Sequence, residues 1–219
     1  MTNFNIKIVS DTVCPWCYVG KKRVDRAIEL YRKTYPASRD DTFTITWAPF
    51  YLDPTSPAVG IPVMERMAQK FGPERLEMIH QRLTAIGQVE GINFAFAGRI
   101  GNTRDSHRLI QLGKTKSNDI ENRVVTELFK SYFEGDGDIT SHATLIAAGE
   151  KAGLVTSEIK EWLETGKGGA EVDQEVQEAY ADDVSGVPNI TIQGTHNIGG
   201  AQEAEVFLAA FAKIKEASN

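Results

Sequence analysis

Val13-Cys14-Pro15-Trp16-Cys17-Tyr18-Val19-Gly20 contains both cysteines of the chain, spaced C-x-x-C. Immediately upstream, Ile6-Lys7-Ile8-Val9 reads as a short buried strand. Downstream, Cys17, Gly20, Val24, Ile28 and Tyr31 recur at helical spacing, so a helix over roughly residues 16–33 is expected directly after the motif. Pro15 suits its first turn, where a missing N–H breaks no bond. Cys14 is therefore expected at or just before a helix N-terminus, where free N–H groups and the macrodipole favour an anion. The anion here is a thiolate, the reactive form of cysteine. Cys17, one turn on, points inward and is placed to close a small ring to Cys14. The stretch reads as a dithiol/disulfide centre.

Other uses of a C-x-x-C pair fit less well. Zinc requires about four ligands, and this chain has no second C-x-x-C, while His80, His107, His142 and His196 are scattered along it. No metal is expected. A purely structural disulfide belongs mainly to oxidising compartments, and Met1-Thr2-Asn3-Phe4-Asn5 has neither the charged nor the apolar part of a secretion signal. The expected location is cytoplasmic, where a C-x-x-C after a strand and before a helix is a redox signature. A net charge of −6, without a basic run, argues against a nucleic-acid partner. No apolar run approaches the roughly 20 residues of a membrane span, so no membrane partner is expected.

Outward from the motif, Tyr35 to Asp41 is a polar break. Phe43, Ile45 and Trp47 then alternate with Thr42, Thr44 and Thr46, a period-two strand in which Trp47 reads as core. Strand, helix, strand implies a parallel crossover. Pro49, Pro54, Pro57, Gly60 and Pro62 punctuate the exit from this segment. A long helical region follows. Pro73 opens a helix with Leu76, Ile79, Leu83 and Ile86 on one stripe, expected to end at Gly87. Asn93 to Ile100 reads as extended. Asn102 with Asp105, and Asn118 with Glu121, look like N-cap signals for two further helices. Asp136-Gly137-Asp138 is a turn rather than a calcium loop, because the later acidic ligands are missing. Ser157 is expected to cap a helix carrying Ile159, Trp162 and Leu163, and Gly168-Gly169 to start another. The apolar stripes of these helices read as core, not cofactor boxes. Finally Pro188 stands at the start of a strand with Ile190 and Ile192. Gln193-Gly194-Thr195-His196 is a hairpin turn with Asn197-Ile198 as the return strand. Phe207, Leu208, Phe211 and Ile214 mark a last helix.

Five stretches together resemble one family: Asp11-x-x-Cys14-Pro15-Trp16-Cys17-Tyr18-x-Gly20, Trp47-x-Pro49-Phe50-x-Leu52-x-Pro54, Asn102-Thr103-x-x-x-His107-Arg108-Leu109, Gly186-Val187-Pro188 and Gly200-Ala201-Gln202. In this order they look like the DsbA-like thioredoxin-fold oxidoreductases of the FrnE type, and the resemblance covers essentially the whole chain. It implies an α/β, thioredoxin-like fold with a large all-helical insertion. Residues 1–52 and 180–219 would form the thioredoxin-like domain and residues 53–179 the insertion. It also implies a cis-proline loop beside the C-x-x-C, with Pro188 as that proline and Val187 before it. The backbone of that loop would pair with an extended substrate by strand addition. Asn189 stands where the family often carries an aromatic residue, a departure that bears on the shape of the substrate groove.

Thiol chemistry then assigns roles. Cys14 is the nucleophile that forms a mixed disulfide, and Cys17 resolves it. Trp16 either shapes docking or simply packs. Asp11 either handles the proton of Cys17 or caps the turn, and His107 belongs to the motif carried by the helical domain. The implied activity is thiol–disulfide exchange with protein or small-molecule thiols and disulfides. No cofactor is expected, glutathione being a candidate co-substrate. Two other readings compete. Kappa-class glutathione transferases and 2-hydroxychromene-2-carboxylate isomerases share the architecture, but use glutathione and a serine-type site where this chain has paired cysteines. A non-catalytic binding module would require neither thiol. Electron direction and oligomeric state stay open.

Overall fold

Alternation makes the first strand. In Asn3–Ser10 (β1), Phe4, Ile6 and Ile8 are buried while Asn3, Asn5 and Lys7 are exposed, as the two faces of a pleat require. The computed structural model describes residues 1–35 and 39–217, so positions 36–38 of the expected polar break lie outside the described residues. Pro15–Thr34 (α1) follows β1 with proline at its first turn and Arg32 and Lys33 in its last. Thr42–Pro49 (β2) then runs parallel to β1, with Phe4 opposite Phe43, Ile6 opposite Ile45 and Ile8 opposite Trp47. This is the expected strand–helix–strand unit.

The chain next leaves the sheet. Ile61–Pro62 (β3) pairs with Arg99–Ile100 (β4), and between them run Val63–Phe71 (α2) and Pro73–Glu90 (α3). Beyond β4 come Arg104–Lys116 (α4), Asn118–Phe129 (α5), a π-helical turn at Lys130–Glu134, His142–Ala152 (α6), Thr156–Glu164 (α7) and Gly169–Ala181 (α8). The chain then returns as Asn189–Ile192 (β5), antiparallel to β1, and His196–Gly199 (β6), antiparallel to β5. The sheet order is β2-β1-β5-β6. Ala204–Ala217 (α9) closes the chain against α1.

Several expected boundaries move by a turn or less, each for a local reason. The helix opened by Pro73 does not stop at Gly87; lacking a Cβ, Gly87 lets the chain fold back so that the Ile92 N–H reaches its carbonyl at 2.8 Å. The stop is Gly91, left-handed at φ 68. The caps of α4 and α5 are Thr103, one residue after the asparagine expected, and Ser117, one residue before it. Asn102 Oδ1 instead accepts the Arg104 N–H at 2.9 Å, and Ser117 Oγ accepts that of Ile120 at 3.1 Å. Ser157 lies inside α7, because the Val155 carbonyl already accepts the N–H of Ile159 at 3.0 Å. The segment Asn93 to Gly98 carries no regular element, and only Arg99 and Ile100 are strand.

Asp41 ties both chain ends to α1. Its carboxylate, 1% exposed, accepts the Thr2 N–H at 2.6 Å, the Tyr31 hydroxyl at 2.9 Å and Lys215 Nζ at 2.9 Å. Burial alone would raise its pKa, but the hydrogen bonds from Lys215, Thr2 and Tyr31 outweigh it and hold the carboxyl at about 2, against an ordinary 3.8. A depressed carboxylate stabilises the fold above its unfolded pKa, and that contribution is lost as pH falls through the folded one. Wild-type stability should therefore drop additionally between about pH 4 and pH 2. Asp41→Asn should be less stable at pH 7 and should lack that part of the acid dependence. Urea midpoints measured at pH 7, 4.5 and 2.5 check this; parallel slopes for both proteins would refute it.

Candidate active site

β1 ends at Ser10, and the chain turns through Asp11, Thr12 and Val13 into α1. Cys14 is the N-cap of that helix, in extended conformation (φ −88, ψ 112), with Pro15 as the first helical residue. Its N–H bonds the Asp11 carbonyl at 3.0 Å, and its own carbonyl takes the Cys17 N–H at 3.0 Å. Both cysteines are thiols. The Cys14 thiol donates to the Val187 carbonyl at 3.6 Å and is on the wall of a cavity. Cys17 lies behind it with no exposed surface. Burial, and after it the hydrogen bond and charge of Cys14, push the Cys17 thiol well up. Cys14 is itself only 3% exposed, so the two differ in that Cys14 borders the cavity and Cys17 does not.

The loop before β5 lies beside the Cys14 turn. The Val187–Pro188 bond is cis, and the Pro188 carbonyl accepts the Gly200 N–H at 2.8 Å. The proline ring rests on α1 at Gly20, where a Cβ would stand 3.0 Å from Pro188 Cγ and 3.6 Å from Ala201 Cβ. That close approach is the physical reason for glycine at position 20, a residue whose spacing alone marked it only as part of the helix stripe. Gly20, Pro188 and Ala201 come from three of the quoted stretches, and all meet at this contact.

The Asp11 carboxylate and the His107 ring also come together. Asp11 Oδ2 accepts the Leu52 N–H at 2.8 Å, holding the segment after β2. Its Oδ1 lies 3.5 Å from His107 Nε2, and neither atom has a hydrogen-bond partner among the described residues. Alongside, Thr12 Oγ1 and Ser106 Oγ share a bond of 2.7 Å, and Ser106 Oγ donates to the Thr103 carbonyl at 2.7 Å. The turn leading into Cys14 is thereby fastened to the first turns of α4. Asn102 is tied to the segment before β3, its N–H on the Pro57 carbonyl at 2.8 Å.

In front of Cys14 opens a cavity of about 450 Å³. Cys14, Pro15, Trp16 and Val187 form one side; α2, α3 and the segment around Phe94 form the other. The π-helical turn contributes Tyr132 and Phe133, both buried. Arg82 of α3 lies over the Trp16 ring at 5.1 Å, so Trp16 lines the cavity and also packs. Sequence reasoning missed this inner wall. Ile79 and Leu83, read as core, border the cavity, and so does Met67 of a helix the periodicity did not single out. The signal was Phe94 and Phe96 in a stretch with no regular partner. Among the described residues no group of three or more His, Cys, Asp or Glu could hold a metal ion, and no helix is long and apolar enough to cross a membrane.

Comparison with known proteins adds the following. A family model described as DSBA-like thioredoxin domain matches residues 5–212. The uncharacterised protein YwbO of Bacillus subtilis (strain 168) is 28% identical over 204 residues, 93% of each chain. A probable DsbA oxidoreductase of Streptomyces coelicolor superposes with a TM-score of 0.83 at 27% identity, over 96% of this chain and 89% of that one. A 2-hydroxychromene-2-carboxylate isomerase superposes with a TM-score of 0.69 at 16% identity, over 98% and 97%, a likeness of fold alone. The architecture is the thioredoxin fold with a helical insertion, and it houses more than one chemistry.

Proposed function

Because the chain belongs to the DSBA-like thioredoxin domain family, we propose that it is a thiol–disulfide oxidoreductase working through Cys14 and Cys17. The observation that carries this is the asymmetry of the pair: Cys14 caps a helix and lines the cavity, while Cys17 is sealed one turn behind it. In the reducing direction the Cys14 thiolate attacks one sulfur of a substrate disulfide, forming a mixed disulfide and releasing the other sulfur as a thiolate. Cys17 then attacks the Cys14 sulfur, releasing the second substrate thiolate and leaving a Cys14–Cys17 disulfide. Two electrons pass to the substrate, and the two protons of the dithiol go to its thiols. The oxidising direction is the same path reversed.

In this reading Pro15 pre-shapes the first turn of α1, and Trp16, Val187 and Pro188 form the surface met by a docking substrate. Asp11 and His107 hold the loop before Cys14. Residues 1–52 and 180–219 are the redox domain, with 53–179 inserted as its helical partner. The partners are protein or small-molecule thiols and disulfides, glutathione included, and the setting is cytoplasmic. The FrnE-type motifs and the paired thiols together favour this over an isomerase of the same fold, in which a serine-type site would stand at the cysteines.

Trapping tests it. Cys17→Ser removes the resolving thiol, so the mixed disulfide on Cys14 should persist and be recoverable on non-reducing gels from a lysate. Protein adducts indicate protein substrates; a glutathione adduct alone indicates a glutathione-linked thioltransferase. A Cys17→Ser protein that captures neither, beside wild type that fails to reduce insulin but turns over a glutathione-dependent isomerase substrate, would reject the reading.

A further inference from the structure

We propose that the cavity in front of Cys14 takes a small amphipathic thiol or disulfide, an apolar body bearing one carboxylate, and not an extended polypeptide. The inference rests on the redox reading above and names its substrate class. Size is the first argument. A volume of about 450 Å³ falls in the roughly 300–1,000 Å³ range of sites that enclose a single small molecule. An extended polypeptide needs an open edge, whereas here the redox loop forms one wall and the inserted helices the other.

Surface chemistry is the second. Met67, Phe71, Leu83, Phe94 and Phe133 present an apolar lining, suited to an acyl or aryl body. Three cations stand on the same cavity: Arg66, Lys70 and Arg82. Arg66 is taken by Asp53 at 2.8 Å. Lys70 and Arg82 form no ion pair among the described residues; they lie over the rings of Phe71 and Trp16, at 5.7 and 5.1 Å. In a chain of net charge −6, two cations without carboxylate partners beside an apolar cavity complement an anion on the ligand. The wall also holds the Tyr132 hydroxyl, buried and without a hydrogen-bond partner among the described residues. It gives an oxygen-bearing ligand one further donor.

The step balances as follows for a dithiol of this class meeting the oxidised protein. One ligand thiolate attacks the Cys14 sulfur and breaks the Cys14–Cys17 bond, releasing the Cys17 thiolate. The second ligand thiolate attacks the ligand sulfur now bound to Cys14, closing the ligand disulfide and freeing the Cys14 thiolate. The ligand loses two electrons and the protein dithiol gains them, with the two ligand protons passing to the cysteines.

Dihydrolipoate and dihydrolipoamide probe this directly, since they share one dithiol and one apolar chain and differ in the carboxylate. Stopped-flow mixing of pre-oxidised protein with each should give a rate constant at least tenfold larger for dihydrolipoate. The ratio should fall to about one in Arg82→Gln/Lys70→Gln, and remain large in Lys160→Gln on the outside of α7. A sulfur-free arm uses the Cys14→Ser/Cys17→Ser protein with octanoate and octanamide in calorimetry: octanoate should bind at least tenfold tighter, and Tyr132→Phe should weaken it. Equal rates for the two dithiols together with no preference for octanoate would overturn the inference, while normal oxidation of dithiothreitol in the same protein would keep the redox reading intact. Faster exchange with unfolded insulin than with dihydrolipoate would also overturn it, in favour of a protein substrate. If no dithiol reacts, dithiothreitol included, yet octanoate is still preferred, the redox reading fails and the carboxylate site is supported by binding alone.

Discussion

Cys14→Ser is expected to lower thiol–disulfide exchange to the uncatalysed rate, a loss on the order of a thousandfold or more, the scale on which removal of a covalent nucleophile acts. The expectation follows from placement. Cys14 lines the cavity and caps α1, whereas Cys17 has no exposed surface and a thiol pushed well up by burial. Cys17 therefore cannot take over the first attack, even though it stands one turn away. Insulin reduction with dithiothreitol as recycling reductant is the assay, run beside circular dichroism to show that the variant is folded. Retention of more than one-tenth of wild-type turnover by Cys14→Ser would mean that the order of the two thiols is wrong.

The other large effect concerns the fold. Phe211 of α9 is fully buried and meets Phe4 of β1 at 5.3 Å between ring centroids, Phe43 of β2 at 5.1 Å and Tyr31 of α1 at 6.0 Å. Phe4 in turn stacks on Phe43 at 4.7 Å. This cluster joins the C-terminal helix to the first strand–helix–strand unit. Phe211→Ala leaves a cavity that its neighbours on three elements cannot collapse into, and should cost about 3–5 kcal/mol. For a chain of this length, that corresponds to a fall in Tm of roughly 6–20 °C. Phe211→Leu keeps much of the volume and should cost well under half as much. Thermal and urea unfolding of the three proteins decide it; a Phe211→Ala midpoint within 2 °C of wild type would show α9 to be dispensable to the core.

The placement of the cysteine pair was legible because its information is short-range. A buried run before Asp11, a proline at the first helical turn and helical spacing from Cys17 to Tyr31 place Cys14 at a helix cap without reference to any distant residue. Threonine alternating with Phe43, Ile45 and Trp47 likewise marks β2, and Phe207 and Phe211 mark α9. The strand carrying Ile190 and Ile192 was legible for the same reason, as was the proline before it. Even the errors were local. A cap read at Asn102 instead of Thr103, or at Asn118 instead of Ser117, reflects two neighbouring residues with the same hydrogen-bonding chemistry.

By itself, then, the amino-acid sequence determined most of the elements, their order and the position of the cysteine pair, because propensity, turn chemistry and hydrophobic period act within a few residues. Only the tertiary structure decided what those elements face. Thr12 meets Ser106 across 94 positions, the Asp11 carboxylate meets His107, and Pro188 meets Gly20. Leu83, buried at a spacing that marks it as core, turns out to line a cavity with Cys14. Periodicity tells that a side chain leaves water, but not which surface it finds, since that depends on how a long insertion docks back onto the sheet. The cavity exists only where residues distant in the chain are brought together, so no single stretch of sequence carries it.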